Sequence, residues 1–189
     1  MQSFVNALEE QHKLSIGFKS YLKFAASTHN QPRSACFHID EILNSLFSFL
    51  ESGSARLFVY QQQDECQITV YFWKERTLLP DLEKLSLALG RSIQIEFTED
   101  AQVINIEHNH RSNLLKLFAE CALIQEKLLI KIIADFLIQS LSLRIEDASG
   151  RLEQLYKIYP NIFLKSSVKD IATYLNMHSS TLSSLKNRR

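Results

Sequence analysis

Glycine is scarce in this chain, with four residues among 189, and proline is scarcer still, with three. Disordered and low-complexity chains are poor in apolar side chains, whereas 46% of the residues here are hydrophobic, so a packed core is expected. Cysteine is also rare. Cys36, Cys66 and Cys121 lie far apart and are odd in number. That excludes a CxxC-type metal site, an iron–sulfur cluster and a secreted disulfide framework, and it points to a reducing, cytoplasmic compartment. Long apolar runs are missing too. The most apolar stretch, LLIKIIADFLI, is interrupted by Lys131 and Asp135 and is too short to span a bilayer. The polar, acidic opening MQSFVNALEEQHK is not a signal peptide. There is no phosphate loop of the Walker type and no nucleophile–base set, so no enzyme chemistry is expected.

Charge is balanced overall but unevenly spread. From Ala148 onward seven Lys and Arg face only Glu153 and Asp170, which leaves +5 there and −5 in the rest of the chain. Such a basic end suits a polyanion.

The hydrophobic period divides the chain. Residues 1–30 follow a helical stripe through Phe4, Leu8, Leu14, Phe18 and Leu22. From about 35 to 107 the period approaches two. ARLFVYQQQ and CQITVYFW flank a polar QQQDE as a hairpin would, and SIQIEF and AQVINIE alternate on either side of Thr98-Glu99-Asp100. Gly53 stands at a turn, and LPDLEKLSLALG reads as a short helical insertion. Short strands at this spacing predict an antiparallel barrel or sandwich. From His110 to about Arg144 the pattern becomes one long helix through Leu114, Phe118, Cys121, Ile124, Leu128, Ile132 and Phe136. Leu123, Leu129, Ile133 and Leu137 stand beside that stripe, and a helix apolar on more than one side needs a partner, for which a dimer seam is the natural use. Cys121 on it is read as core or seam rather than a redox switch. Glu146 to Gly150 reads as a hinge, followed by a helix over Arg151–Tyr159, a loop at Pro160 and two short helices.

The two short helices have the spacing of a helix-turn-helix. Ala172 is small enough for close contact, and Ile171, Leu175, Met177, Leu182 and Leu185 fall at core-facing positions after Val168. Asn176 is the best non-glycine residue for a left-handed turn, and Ser179 or its neighbour can cap the second helix. The whole segment RLEQLYKIYPNIFLKSSVKDIATYLNMHSSTLSSLKNRR resembles the DNA-binding end of the Crp–Fnr family of bacterial transcription regulators. Upstream, FSFLESGSARLFVYQQQDECQITVYFW and PDLEKLSLALGRSIQIEFTEDAQVINIE resemble the family's sensor domain, so the resemblance spans about residues 33–189. It implies an α+β chain with an N-terminal double-stranded β-roll (jelly-roll-like) sensor, a long dimerisation helix and a C-terminal helix-turn-helix domain. The expected divisions are 1–109 for the N-terminal helices and roll, 110–147 for the helix and hinge, and 148–189 for the DNA-binding unit. A homodimer through residues 110–145, double-stranded DNA and RNA polymerase are the implied partners, with no membrane.

Within the resemblance, residues 179–189 form the reading helix. Ser179, Ser180 and Ser184 stand where the family carries glutamate and arginine, so base readout rests on His178, Thr181, Lys186 and Asn187. Lys169, Lys186, Arg188 and Arg189 are the phosphate contacts. In the sensor, Arg91-Ser92 match the pair that holds a cyclic phosphate, with Asp81 ten residues earlier and Glu83 as a substitute. Pro80 replaces a glycine and Ile93 a small residue, which weighs against a cyclic nucleotide, and no cofactor is assigned. Two other readings remain: a β-roll ligand- or partner-binding protein that no longer reads DNA specifically, and a cupin-like enzyme with His108 and His110 as metal ligands, which lacks a third ligand.

Overall fold

A computed structural model describes residues 1–39, 46–61, 66–80, 82 and 85–187. The chain opens with α1 (Gln2–Gln11) and α2 (Ile16–Ala25). The Ser15 side chain caps α2 by accepting a hydrogen bond from the Phe18 N–H. Helix α2 runs directly into β1 (Ala26–Gln31), so the last part of the N-terminal stretch expected to be helical is a strand. ASTHNQ carries almost no apolar signal. Pairing decides its form, with Ala26 opposite Ile106 and Gln31 opposite Ala101.

The remaining strands are β2 (Cys36–His38), β3 (Ser48–Ser52), β4 (Ser54–Gln61), β5 (Cys66–Lys74), β6 (Thr77–Leu79), β7 (Ile93–Phe97) and β8 (Ala101–Ile106). They form two antiparallel sheets in the orders β1-β8-β3-β6 and β2-β7-β4-β5, which is jelly-roll connectivity. The expected hairpin is β4–β5, running from Ser54 opposite Lys74 to Gln61 opposite Cys66. Strands β7 and β8, in contrast, are not a hairpin: residues 98–100 carry the chain from one sheet to the other. Gly53 turns β3 into β4 at φ +88°, where a Cβ would lie 2.7 Å from the Asp100 carbonyl oxygen, so no other residue fits without a shift. The helix α3 (Leu85–Leu89) occupies part of the expected insertion.

Leu50, Leu57, Trp73, Ile93, Ile95, Phe97 and Val103 fill the space between the sheets. On the outside of the first sheet, α1 and α2 bury Phe4, Leu8, Phe18 and Leu22 against Phe47, Phe49, Ile104 and Ile106. The expected long helix is divided into α4 (His108–Leu117) and α5 (Glu120–Ile145). At the break Phe118 takes an extended backbone and its ring stacks on Phe18 at 5.0 Å. Aromatic packing on α2 therefore interrupts a helix that the periodicity would carry through. No helix among the described residues is long and apolar enough to cross a membrane.

The C-terminal helices are α6 (Ala148–Ile158), α7 (Ile162–Lys165), α8 (Val168–Tyr174) and α9 (Ser179–Asn187). Asp147 caps α6 by accepting from the Gly150 N–H at 2.8 Å, so the hinge expected over 146–150 is shorter, its last three residues being helical. Leu152, Leu155, Ile162, Ile171, Ala172, Leu175 and Leu182 form the core here, and Phe72 of β5 joins it from the sheet.

That junction is polar at its centre. Arg56 on β4 is 3% exposed and faces away from the roll interior. Its Nε donates to Glu96 at 2.6 Å, and its Nη1 lies 2.7 Å from Asp170 of α8 and 3.0 Å from the Thr69 hydroxyl. Gln67 accepts from the remaining nitrogen, and the guanidinium lies 4.6 Å from the Phe58 ring centre. Beside it the Thr69 N–H donates to Thr173 Oγ1 at 3.1 Å, Tyr159 Oη donates to the Phe72 carbonyl at 2.6 Å, and Lys165 pairs with Glu99 at 2.9 Å.

Replacing Arg56 by Met keeps the aliphatic stem but strands Glu96 and Asp170. We expect a loss of about 3 kcal/mol in urea unfolding, against about 1 kcal/mol for Asp170→Asn; an unchanged R56M midpoint would show that the junction does not depend on the guanidinium. Burial also pushes the Cys121 thiol up to about 12, with Glu120 adding to the effect. At pH 8 it stays protonated, so iodoacetamide should label exposed Cys36 first and Cys121 only after denaturation, as read by mass spectrometry.

Candidate functional site

The turn between α8 and α9 is built from its caps. Ser167 starts α8 by accepting from the Asp170 N–H at 3.1 Å. At the other end Asn176 adopts φ +48°, the left-handed conformation its side chain tolerates better than most. The Asn176 N–H bonds the Thr173 carbonyl and the Met177 N–H bonds Ala172, both within 3.1 Å. This is the Schellman arrangement, and Met177 packs into the same core as Ala172. His178, the neighbour of Ser179, opens α9. Its carbonyl accepts from Leu182 at 3.1 Å, and its Nδ1 faces the Ser180 hydroxyl at 2.8 Å.

Leu182 is buried, Leu185 packs beside it, and the opposite side of α9 is open to solvent. Ser180, Thr181, Ser184 and Asn187 are exposed there, while Ser179 is partly covered. Ser183, not singled out by the sequence, joins them, its hydroxyl bonded back to the Ser179 carbonyl at 2.9 Å. Lys186 lies elsewhere: its ammonium sits 4.7 Å from the centre of the Phe163 ring, towards α7. It is therefore turned from the serine face. Lys169 is exposed in the first turn of α8, and Arg188 and Arg189 lie outside the described residues.

The expected ligand residues are not brought together. Arg91 and Ser92 are exposed at the start of β7, where the Ser92 hydroxyl lies 3.4 Å from His38, while Ile93 turns into the roll core. Asp81 and Glu83 lie outside the described residues. His108 and His110 stand in the first turn of α4 rather than on a strand, and the Tyr21 hydroxyl is 3.0 Å from His110 Nδ1. No group of three His, Cys, Asp or Glu among the described residues is arranged to hold a metal ion.

The third feature is α5. One stripe, Cys121, Ile124, Leu128 and Ile132, is buried against the roll and its covering helices. The opposite side exposes Leu123, Ile130, Leu137, Leu141 and Ile145, with Leu137 59% accessible. Three of these, Leu123, Ile130 and Leu137, recur every seventh residue.

No protein-family profile matches the chain, and none of the curated proteins is similar to it in sequence. Solved structures are. A Eubacterium rectale protein assigned as a transcriptional regulator of the Crp/Fnr family has a TM-score of 0.73 at 15% identity, covering 97% of this chain and 87% of its own. FixK2 of Bradyrhizobium japonicum follows with 0.71 at 16% identity over 86% of this chain and 83% of its own. CLP of Xanthomonas campestris, a c-di-GMP-responsive global regulator, has 0.64 at 10% identity over 92% and 91%. The chain therefore has the fold of the Crp/Fnr transcription regulators.

Proposed function

We propose that the protein is a dimeric DNA-binding transcription regulator of the Crp–Fnr type. In this reading residues 1–109 are the sensor, 110–147 the helical connection and 148–189 the DNA-binding unit, with α8 and α9 as a helix-turn-helix. The observation that carries it is the C-terminal pair itself: a Schellman turn at Asn176 sets α9 against α8 so that Leu182 is buried and the polar side of α9 is free. This unit holds the +5 charge of the chain.

Direct readout then falls on a short set. His178 is engaged with Ser180, and Lys186 rests over Phe163. That leaves Asn187 as the side chain best suited to a bidentate contact with adenine, with Thr181, Ser180 and Ser184 as weaker discriminators. Lys169, Arg188 and Arg189 serve as phosphate contacts. The outer apolar stripe of α5 supports a two-fold partner, because a second copy would cover Leu123, Ile130 and Leu137 with the same residues. Two reading helices would then address half-sites about 34 Å apart.

Leu137→Glu places a charge in that stripe without touching the buried one. The variant should keep its circular dichroism spectrum and fall from dimer to monomer by light scattering; a monomeric wild type would refute the seam. Fragmented genomic DNA should be enriched for a two-fold symmetric site, with affinity falling steeply as salt rises. On that site Lys169→Ala should reduce the salt slope by about 1, whereas Asn187→Ala should cost about 1–3 kcal/mol at one base pair and leave the slope alone. Retention without enrichment would favour the alternative, a roll whose C-terminal helices no longer read sequence.

A further inference from the structure

Where β5, α5 and α6 meet, the structure encloses a cavity of about 240 Å³, lined at its far side by Tyr174 and Leu175 of α8. It is smaller than the roughly 300–1,000 Å³ of drug-sized ligand sites, and so suits a compact molecule. Its walls combine aromatic surface with uneven charge. Tyr71 and Trp73 stand on one wall with ring centres 5.1 Å apart. Lys74, Lys131 and Arg151 supply three cations against one carboxylate, Asp135.

The polar groups are only partly occupied. Asp135 Oδ2 accepts from the Tyr71 hydroxyl at 2.5 Å. Tyr159 and Tyr174 also stand near this carboxylate. Burial, reinforced by Asp135, raises all three tyrosines above their ordinary range, so they remain O–H donors at neutral pH. Arg151 gives one guanidinium N–H to the Glu146 carbonyl at 2.9 Å, but its Nε is buried without any hydrogen-bond partner. A guanidinium N–H left unpaired beside a cavity is costly and calls for an acceptor, best an anionic one.

We propose that this cavity binds a small aromatic carboxylate, with the carboxylate on Arg151 and Lys131 and the ring against Tyr71 and Trp73. A hydroxyl on the ring would find an acceptor in Asp135. The site lies apart from Arg91 and Ser92. Binding itself does not rest on the DNA-binding reading; only its consequence does. The ligand would touch the roll, the long helix and the C-terminal unit at once, and could bias their arrangement by as much as its affinity differs between arrangements.

Trp73 is the only tryptophan in the chain, so its emission reports on this cavity alone. The full-length protein would be titrated with benzoate, 4-hydroxybenzoate and 3-phenylpropanoate. At least one should change the emission saturably, its primary amide should not, and Arg151→Gln should weaken binding roughly tenfold or more. Ile158→Phe, at the 47% exposed rim of the cavity, narrows the entrance without entering a core and should weaken binding as well. Should Arg151→Gln not fold, this second variant decides. No saturable change from any of the three up to about 10 mM would overturn the proposal, as would equal binding of acid and amide or full affinity in the folded variants. None of these outcomes depends on whether the protein binds DNA.

Discussion

A guanidinium that cannot reach water joins the two halves of this chain. Arg56 is held by Glu96 within its own sheet and by Asp170 from α8, with Thr69 and Gln67 completing its donors. A buried ion pair contributes little net stability compared with a well-packed apolar substitute, but it is strict about geometry. Only one placement of α8 lets Asp170 meet Arg56 while Thr173 meets Thr69 and Phe72 enters the C-terminal core. Sheet packing, helix docking and the placement of α9 follow from that one fit.

The same fit explains why β4 and β5 are covered on both faces. Ala55, Leu57 and Trp73 point into the roll, while Arg56, Thr69 and Phe72 point to the C-terminal helices. Polar and apolar residues alternate along β4 as in a half-exposed strand, yet its polar face meets protein rather than solvent.

Legibility in the sequence followed the strength of local signals. The C-terminal pair could be placed because its requirements are short-range: a left-handed residue at 176, a small one at 172, apolar residues three and four apart. The β4–β5 hairpin was equally plain. What could not be read depended on distant partners. ASTHNQ is polar and becomes a strand only because β8 lies beside it, and the break at Phe118 exists because Phe18 offers a ring to stack on. Arg56 looked like an ordinary strand-surface cation, since nothing local tells that Asp170, far along the chain, will face it. The direction of Lys186 was hidden for the same reason, being set by Phe163 on another helix. The family pattern located Arg91 and Ser92, but the structure leaves both exposed.

Strand β5 lies at the edge of its sheet, nine residues long and rich in apolar side chains. Such an edge offers unpaired N–H and C=O groups to any other strand and is a ready template for aggregation. Here two of its backbone groups are occupied by side chains of the C-terminal helices and the loop between them: Thr173 accepts from the Thr69 N–H, and Tyr159 donates to the Phe72 carbonyl. The C-terminal helices thus act as a guard on the roll as well as a unit with its own surface. A roll separated from them would present a long, sticky edge, so the two parts are bound by solubility as much as by any signal that passes between them.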